Sequence, residues 1–312
     1  MKTLPNFLVI GAAKSGTTSL YQYLREHPQI YMSPVKEPEF FSYMGEKIDR
    51  RDPRLAPAIF AITEWKDYEA LFKNVRNETA VGEASPGYIY SPEAPKRIKQ
   101  FLPQAKLIAV LRNPVARAYS HFTMRLNKSS DIVVEPVRDF EEVLKAEESR
   151  IRDGWLAGWH YKRRGFYYEQ LKRYFDLFDR SQIQIYLYED LEENTLKVVR
   201  GLYQFLGVED RFVPVLERVH NQGKYEAAVK NDAWRDFLTG ENRLKGVLKQ
   251  LVPTKYRTDL KKYLLEKNMT FTDKPTRSGP TPELKEKLLA EYRPDILKLQ
   301  ELIHRDLSAW LR

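Results

Sequence analysis

The sequence predicts an α/β fold in which a central parallel β-sheet lies between two layers of helices. The prediction comes from short apolar segments at 7–11, 106–111 and 183–188, each followed by a segment with helical spacing of apolar residues. Short strands that are apolar on both faces are typical of buried parallel sheets. Their alternation with helices favours a three-layer α/β/α arrangement. We expect residues 1–312 to form a single domain.

The first strand leads into a loop that is suited to binding phosphate. Residues 11–18 read GAAKSGTT and open a helix that we expect to stop at Pro28. Backbone N–H groups of such a loop and helix N-terminus bind anions. The two glycines have the spacing of a Walker A loop, but Thr17 stands where that loop has its lysine, and Lys14 comes three residues earlier.

The second strand, 106–111, delivers an arginine to the same end of the sheet. Arg112 follows the strand, Asn113 is suited to cap the next helix, and Pro114 is suited to its first turn. A nucleotide triphosphatase would have an acidic residue at a strand end to hold magnesium. The two loops together therefore favour an anion site without a metal.

The remaining elements are less regular. The third strand, 183–188, precedes another amphipathic helix, and residues 281–283 start a long helix that we expect to close with Leu307 and Trp310. Three other segments are rich in charge and short of long apolar periods: 42–78, 127–164 and 221–280. We expect the last two to be lid or insertion segments that shape the acceptor side.

Composition narrows the classes of function. The chain has 312 residues, a net charge of +9 and no cysteine, which excludes a disulfide scaffold, a thiolate metal site and a cysteine nucleophile. The histidines show no metal-ligand spacing, and no segment approaches the roughly 18 apolar residues that span a bilayer. We expect no metal, no stable membrane insertion and a cytoplasmic location. The basic residues are spread along the chain, so a phosphate-bearing ligand explains the charge as well as nucleic acid does.

Two stretches resemble the signatures of the sulfotransferases that use 3'-phosphoadenosine 5'-phosphosulfate (PAPS), especially the heparan-type and bacterial branch. The KSGTT stretch from Lys14 is similar to that family's 5'-phosphosulfate loop, and Arg112 with Ser120 eight residues later resembles its 3'-phosphate signature. The resemblance runs from about residue 5 to 210 and implies a P-loop NTPase-like sulfotransferase fold, with PAPS as cofactor and 3'-phosphoadenosine 5'-phosphate (PAP) as product. The implied cofactor-binding residues are Lys14, Ser15, Gly16, Thr17, Thr18, Arg112, Ser120 and Lys224.

The segment KEPEFF at 36–41 looks like the family segment that carries the general base. The resemblance implies that Glu37 takes the proton as an acceptor hydroxyl or amine attacks sulfur in line, and that Lys14 offsets charge on the leaving oxygen. Glu39 is the rival base, although the alternation of an extended segment would point it elsewhere. As a structural alternative, Glu37 is a solvated loop acid.

The acceptor side is the least specified part of the sequence. The segment 83–88 is similar to the family's Ser-Pro-x-Tyr segment beside the acceptor, but Ala84 stands where heparan-acting members tend to carry lysine. We expect a small-molecule, lipid, glycan or carrier-protein-bound acceptor, and no nucleic acid. The aromatic and basic cluster at 155–164 is interpreted as a lid. The candidate acceptor residues are Lys36, Ser85, Tyr88 and His121.

Two other classes of function stay open at this point. A P-loop kinase or NTPase would share the order of strand, loop and helix, but Thr17 speaks against it. A sulfotransferase-like binding module without turnover would share the fold, but the presence of both Lys14 and Glu37 argues against such decay.

Overall fold

The computed structural model describes residues 4–49, 52, 54–55, 61–126, 135–216, 226–229, 269–272 and 279–312. Its centre is a five-stranded sheet in the order β2-β3-β1-β4-β5, in which all neighbouring strands run parallel. The strands are β1 (Phe7–Gly11), β2 (Ile30–Met32), β3 (Ala80–Ala84), β4 (Lys106–Leu111) and β5 (Ile183–Leu187). A separate antiparallel pair is formed by β6 (Glu226–Val229) and β7 (Met269–Thr272).

Helices follow or connect these strands. They are α1 (Thr17–Glu26), α2 (Phe40–Tyr43), α3 (Trp65–Ala70), α4 (Ala94–Phe101), α5 (Pro114–Leu126), α6 (Phe140–Arg152), α7 (Tyr167–Phe175), α8 (Tyr188–Leu206) and α9 (Pro282–Ile303). Short 3₁₀ turns occur at Ala157–Trp159, Arg163–Gly165, Arg180–Gln182 and Ser308–Leu311. Within the described residues, no helix is both long enough and apolar enough to cross a bilayer.

The two faces of the sheet carry separate hydrophobic clusters. In β1, Leu8 and Ile10 join a cluster that includes apolar residues of α5, α7 and α9, whereas Phe7 and Val9 join a cluster with those of α1 and α8. Alternate side chains of a strand point to opposite faces, so a strand with both faces covered has to be apolar throughout. The predicted three-layer α/β/α fold with a central parallel sheet is confirmed.

Two strands of the central sheet, β2 and β3, were not predicted from the sequence, and neither was the separate pair β6 and β7. β2 has only three residues, and β3 contains Gly82 and Glu83, which interrupt its apolar run. Gly82 is required by packing, because a Cβ atom there would lie 2.4 Å from the Phe7 ring. The apolar pattern therefore did not predict β3, because packing against the neighbouring strand determines which residue fits at Gly82.

The last helix ends earlier than predicted. α9 stops at Ile303, and the next residue, His304, takes a left-handed conformation with φ 52°. Leu307 and Trp310 lie beyond the helix and are still buried. In the other predicted irregular segments, the structure shows α3 within 42–78 and α6 within 127–164, while 127–134 and most of 221–280 lie outside the described residues.

A buried ion pair holds α6 against the rest of the domain. The Arg150 guanidinium donates to both carboxylate oxygens of Glu135 at 2.7 Å, and the Tyr161 hydroxyl donates to the same carboxylate at 2.8 Å. Burial alone would raise the pKa of Glu135, but the hydrogen bonds from Arg150 and Tyr161 hold that pKa below its ordinary value. Glu135 is therefore an anion inside the fold.

Replacing Glu135 with Gln is expected to lower the free energy of unfolding by about 3 kcal/mol, since it leaves the buried guanidinium without its anion. Because the Glu135 pKa is lowered in the folded state, the difference in unfolding free energy between wild type and variant should be largest near neutral pH. It should shrink as the pH falls below about 4. Urea unfolding at several pH values measures this. Asp176→Asn, which breaks an exposed pair with Lys172, is the control and should change stability little; equal losses in the two variants would contradict the prediction.

Candidate active site

Loops at the carboxyl ends of the parallel strands line one large cavity. Lys14 follows β1, Glu37 follows β2, Gly87 follows β3 and Arg112 follows β4, and all four line a cavity of about 1830 Å³. These loops meet because parallel strands present their carboxyl ends at the same edge of the sheet. This volume is above the range of about 300–1,000 Å³ that is typical of a single ligand site.

The loop after β1 brings a helix N-terminus to the cavity. Gly16 caps α1 in the left-handed region with φ 86°, and its carbonyl accepts from the Leu20 N–H at 3.1 Å. This conformation favours glycine. Thr17 and Thr18, the first residues of α1, line the cavity. The N–H groups of the first turn and the helix dipole suit this end of the helix to an anion.

Lys14 lies in a strongly positive environment. Burial, followed by the nearby charge of Arg112, lowers the pKa of the Lys14 ammonium to about 8, and Lys36 and Arg117 add to the effect. The carboxylate of Glu37 opposes it. An anion placed beside Lys14 would relieve this repulsion, so the pattern of charges suits an anionic ligand.

Arg112 is held in place from several sides. Its guanidinium donates to the Lys14 carbonyl at 3.1 Å and lies 4.4 Å from the centre of the Tyr188 ring, while the Tyr167 hydroxyl donates to the Arg112 carbonyl at 3.0 Å. Asn113 caps α5 as predicted, accepting from the Val115 N–H at 3.0 Å. Further along α5, Ser120 lines the same cavity. The structure thus brings both predicted anion sites to one cavity.

One described residue among the predicted cofactor-binding residues, Ser15, does not line the cavity. The side chain of Ser15 is fully buried, and its N–H donates to the Ala12 carbonyl at 3.3 Å. The Ser15 side chain therefore packs inside the protein and supports the loop without lining the cavity. Lys224 lies outside the described residues.

Both glutamates of the segment 36–41 line the cavity. Glu37 forms an ion pair with Lys36, and its side chain is 50% exposed. Glu39 is more enclosed: its carboxylate accepts from the Gly87 N–H and the Ser42 hydroxyl, each at 2.9 Å. Burial, together with the charge of Glu37, raises the pKa of Glu39.

The predicted alternation of this segment was wrong. Glu37 and Glu39 have φ values of 61° and 50°, which are left-handed and not extended. Residues two apart in such a turn do not follow the geometry of a strand, so the segment offers two carboxylates to the cavity.

A further part of the cavity wall contains a buried cation, Arg164, from the aromatic and basic cluster at 155–164 that is interpreted as a lid. Arg164 is only 9% exposed, lies over the Tyr90 ring at 5.6 Å and lines the cavity with His121. Burial and then the charges of Arg164 and Arg117 hold the pKa of His121 well below its ordinary value. His121, one of the predicted acceptor residues, is therefore neutral at physiological pH.

A buried carboxylate fixes the turn that carries Arg164. Glu147 of α6 accepts from the backbone N–H groups of Tyr161, Lys162 and Arg163, each at 2.6 Å. The contact spans 14 to 16 residues along the chain, so helical periodicity carried no signal for it. The predicted lid over the cavity is represented here by Trp155, Leu156, Ala157, Gly158, His160 and Arg164, which line it.

The other predicted acceptor residues occupy different places. Lys36 lines the cavity and pairs with Glu37. Ser85 and Tyr88 are fully buried and do not line the cavity. Their hydroxyls contact Glu83 and the backbone of 39–41, so this placement makes them supports of the glutamate segment and not acceptor contacts.

The C-terminal segment closes the end of the cavity near Arg112. Arg305 pairs with Asp190 at 2.8 Å, and the Trp310 indole N–H donates to Glu189 at 2.9 Å. Arg312 lines the cavity as a result. These contacts join residues more than 100 positions apart, and the sequence contained no local signal for them.

The chain is similar to known sulfotransferases in sequence and in overall structure. The sulfotransferase domain family matches residues 4–234. The crystal structure of a sulfotransferase from Alicyclobacillus acidocaldarius is 33% identical and covers 99% of this chain and 100% of its own, with a TM-score of 0.72. A membrane-associated sulfotransferase of Dictyostelium discoideum is 40% identical over 134 residues, which are 40% of this chain and 25% of that protein.

One of the similar proteins is a human heparan sulfate sulfotransferase. Heparan sulfate glucosamine 3-O-sulfotransferase 6 is 28% identical over 208 residues, which are 67% of this chain and 54% of that protein. The chain thus spans between a quarter and about half of the length of these curated relatives. Because the domain match covers most of the sequence and the bacterial structure is similar over the whole chain, this protein belongs to the sulfotransferase family.

Proposed function

We propose that this chain transfers the sulfuryl group of PAPS to a hydroxyl or amine of a small-molecule, lipid, glycan or carrier-bound acceptor. The observation that carries the proposal is the shared cavity, which joins the anion site at Lys14 and α1, the anion site at Arg112 and Ser120, and the carboxylate of Glu37. We further propose that residues 1–312 act as one domain.

The residues present fit PAPS, which has one anionic group at each end of its ribose. Lys14, Thr17 and Thr18 would hold the 5'-phosphosulfate, and Arg112 with Ser120 would hold the 3'-phosphate. The lowered pKa of Lys14 supports this assignment, because burial and then the charge of Arg112 destabilise its ammonium form, which a bound anion would stabilise. When bound, PAPS supplies an activated sulfuryl group.

The protein side chains supply proton transfer and charge stabilisation. Glu37, exposed to the cavity, would accept the proton of the acceptor hydroxyl. Lys14 would offset the negative charge that develops on the leaving oxygen. Glu39, held by Gly87 and Ser42, is the competing base.

The kinase alternative lacks support at the residues that would carry it. Thr17 stands in the place of the Walker A lysine, and Arg112 follows the neighbouring strand where a magnesium-binding aspartate is expected. The non-catalytic alternative differs from our proposal only in turnover, so acceptor assays decide it.

PAP at about one hundred times its dissociation constant should stabilise the protein by about 2.7 kcal/mol, which raises the melting temperature by several degrees. ADP, which lacks the 3'-phosphate, should stabilise it much less. Arg112→Ala should remove the difference between PAP and ADP, whereas Arg180→Ala, outside the cavity, should preserve it. Stabilisation by ATP with magnesium but not by PAP would reject the proposal in favour of the kinase.

PAP affinity should fall as the pH rises through about 8, because the Lys14 ammonium, with its pKa of about 8, loses its charge there. A bound anion raises this pKa, so the dissociation constant should increase about tenfold per pH unit above 8 until the bound-state pKa is reached. Calorimetric titration from pH 6 to 10 measures it. Lys14→Gln should bind PAP weakly and show no such pH dependence. The control is Lys145→Gln, which replaces an exposed lysine of α6 and should keep the pH dependence. An unchanged pH dependence in Lys14→Gln would assign the titration to another group.

Glu37→Gln should lower turnover at least about 100-fold with little change in PAP affinity, because it removes the base and leaves the anion sites intact. Labelled PAPS with a panel of hydroxyl and amine acceptors provides the assay. Glu39→Gln is the matched variant, with the same change two residues away, and should lose less. A larger loss in Glu39→Gln would transfer the role of base to Glu39.

A further inference from the structure

Glu83 is a buried carboxyl group that the proposed reaction does not use. It lies in the middle of the sheet on β3 with no exposed surface. The Ser85 hydroxyl donates to its Oε2 at 2.8 Å, the Tyr68 hydroxyl lies 3.4 Å from its Oε1, and the Tyr88 hydroxyl is a third hydrogen-bond partner. The ion pairs found among the described residues do not include Glu83.

Such a group is costly to bury. Burial raises the pKa of Glu83 to about 8, although the hydrogen bonds from Tyr88 and Ser85 oppose the shift. A well-packed apolar residue would avoid this cost at the centre of a parallel strand. The presence of Glu83 at this position is explained if its three hydroxyl contacts help to position residues of the cavity.

Two of these hydroxyls connect Glu83 to the backbone of the segment 37–41. The Ser85 hydroxyl oxygen accepts from the Glu39 N–H at 2.9 Å, and the Tyr88 hydroxyl oxygen accepts from the Phe41 N–H at 3.3 Å. Each hydroxyl therefore joins the Glu83 carboxyl on one side to a backbone amide on the other. A hydroxyl has one hydrogen and two lone pairs, so one partner can orient it for the other.

The segment that these contacts hold is strained. Glu37 and Glu39 both have left-handed backbones, with φ of 61° and 50°, and neither is glycine. Such conformations persist only where the surroundings over-determine them. The anchors lie 46 and 47 positions along the chain from the amides that they hold, so local sequence does not supply this restraint.

We propose that Glu83 is a positioning residue that, through Ser85 and Tyr88, holds the segment 37–41 and so the two cavity glutamates. The Glu37 N–H has a further anchor, the Ala84 carbonyl of β3, at 2.9 Å. The role of these glutamates in proton transfer rests on the proposed function. The hydrogen-bond network does not rest on the proposed function. In this network Glu83 orients two hydroxyls, and these hydroxyls hold the amides on either side of Phe40. The Gly87 N–H adds a further contact by donating to the Glu39 carboxylate.

Hydrogen exchange of the full chain, followed by mass spectrometry on peptides that cover 37–41, tests the proposal without cofactor or acceptor. Ser85→Ala and Tyr88→Phe each remove one hydroxyl and little else, and should speed exchange of the Glu39 and Phe41 amides, respectively, about fivefold to tenfold. Glu83→Leu should speed both, and Glu83→Gln, which keeps one acceptor oxygen, should restore part of the protection.

Tyr174→Phe is the matched control. Its hydroxyl is equally buried and donates to the Tyr88 carbonyl at 2.8 Å, but it lies outside the two connections to 37–41. It should leave exchange in 37–41 unchanged. The proposal is overturned if Ser85→Ala and Tyr88→Phe both leave exchange in 37–41 unchanged, or if Tyr174→Phe increases it equally. Both outcomes can be measured even if Glu83→Leu fails to fold.

A second readout separates this proposal from the proposed function. Tyr88→Phe should keep the full melting shift with PAP, because the anion sites do not involve Tyr88, while turnover on any acceptor found falls about tenfold at unchanged KM for PAPS. Absence of a PAP shift in the wild type would reject the function and leave the exchange result valid. Faster exchange in 37–41 with unchanged turnover would reject the positioning role.

Discussion

The site depends on one constraint, the parallel direction of all five strands. Because every strand ends at the same edge, the loops that follow β1, β2, β3 and β4 deliver Lys14, Glu37, Gly87 and Arg112 to a single cavity. Helices on both faces then bury the sheet and leave this edge as the place where polar groups gather. An antiparallel strand at any of these positions would send its loop to the opposite end.

Basic and acidic residues lie side by side at this edge. Lys14 and Arg112 form a positive region, in which burial and then the charge of Arg112 lower the pKa of the Lys14 ammonium. Glu37 and Glu39 form a second, acidic region that lines the same cavity. A cofactor with two anionic groups would neutralise the first region, and the second would remain available for the proton of an acceptor.

Buried carboxyl groups of the same domain hold the loops that carry the site. Glu147 binds three consecutive N–H groups before Arg164, Glu135 holds α6 through Arg150, and Glu83 reaches the segment 37–41 through two hydroxyls. Each of these groups connects distant parts of the chain. Loops cannot be ordered by hydrophobic contacts alone, because their backbone amides need partners.

The sequence by itself determined the α/β class, the glycine-containing loop before α1, Arg112 after β4 and the Asn113 cap, because each depends on residues that are neighbours along the chain. It missed β2 and β3, which are short and contain residues selected by packing, such as Gly82 beneath Phe7. Only the tertiary structure decided that Glu37 and Glu39 share one cavity, that Ser85 and Tyr88 lie behind it, and that Arg164 lies within it. The physical reason is that backbone strain, burial and hydroxyl orientation at these positions are imposed by contacts with residues tens of positions away.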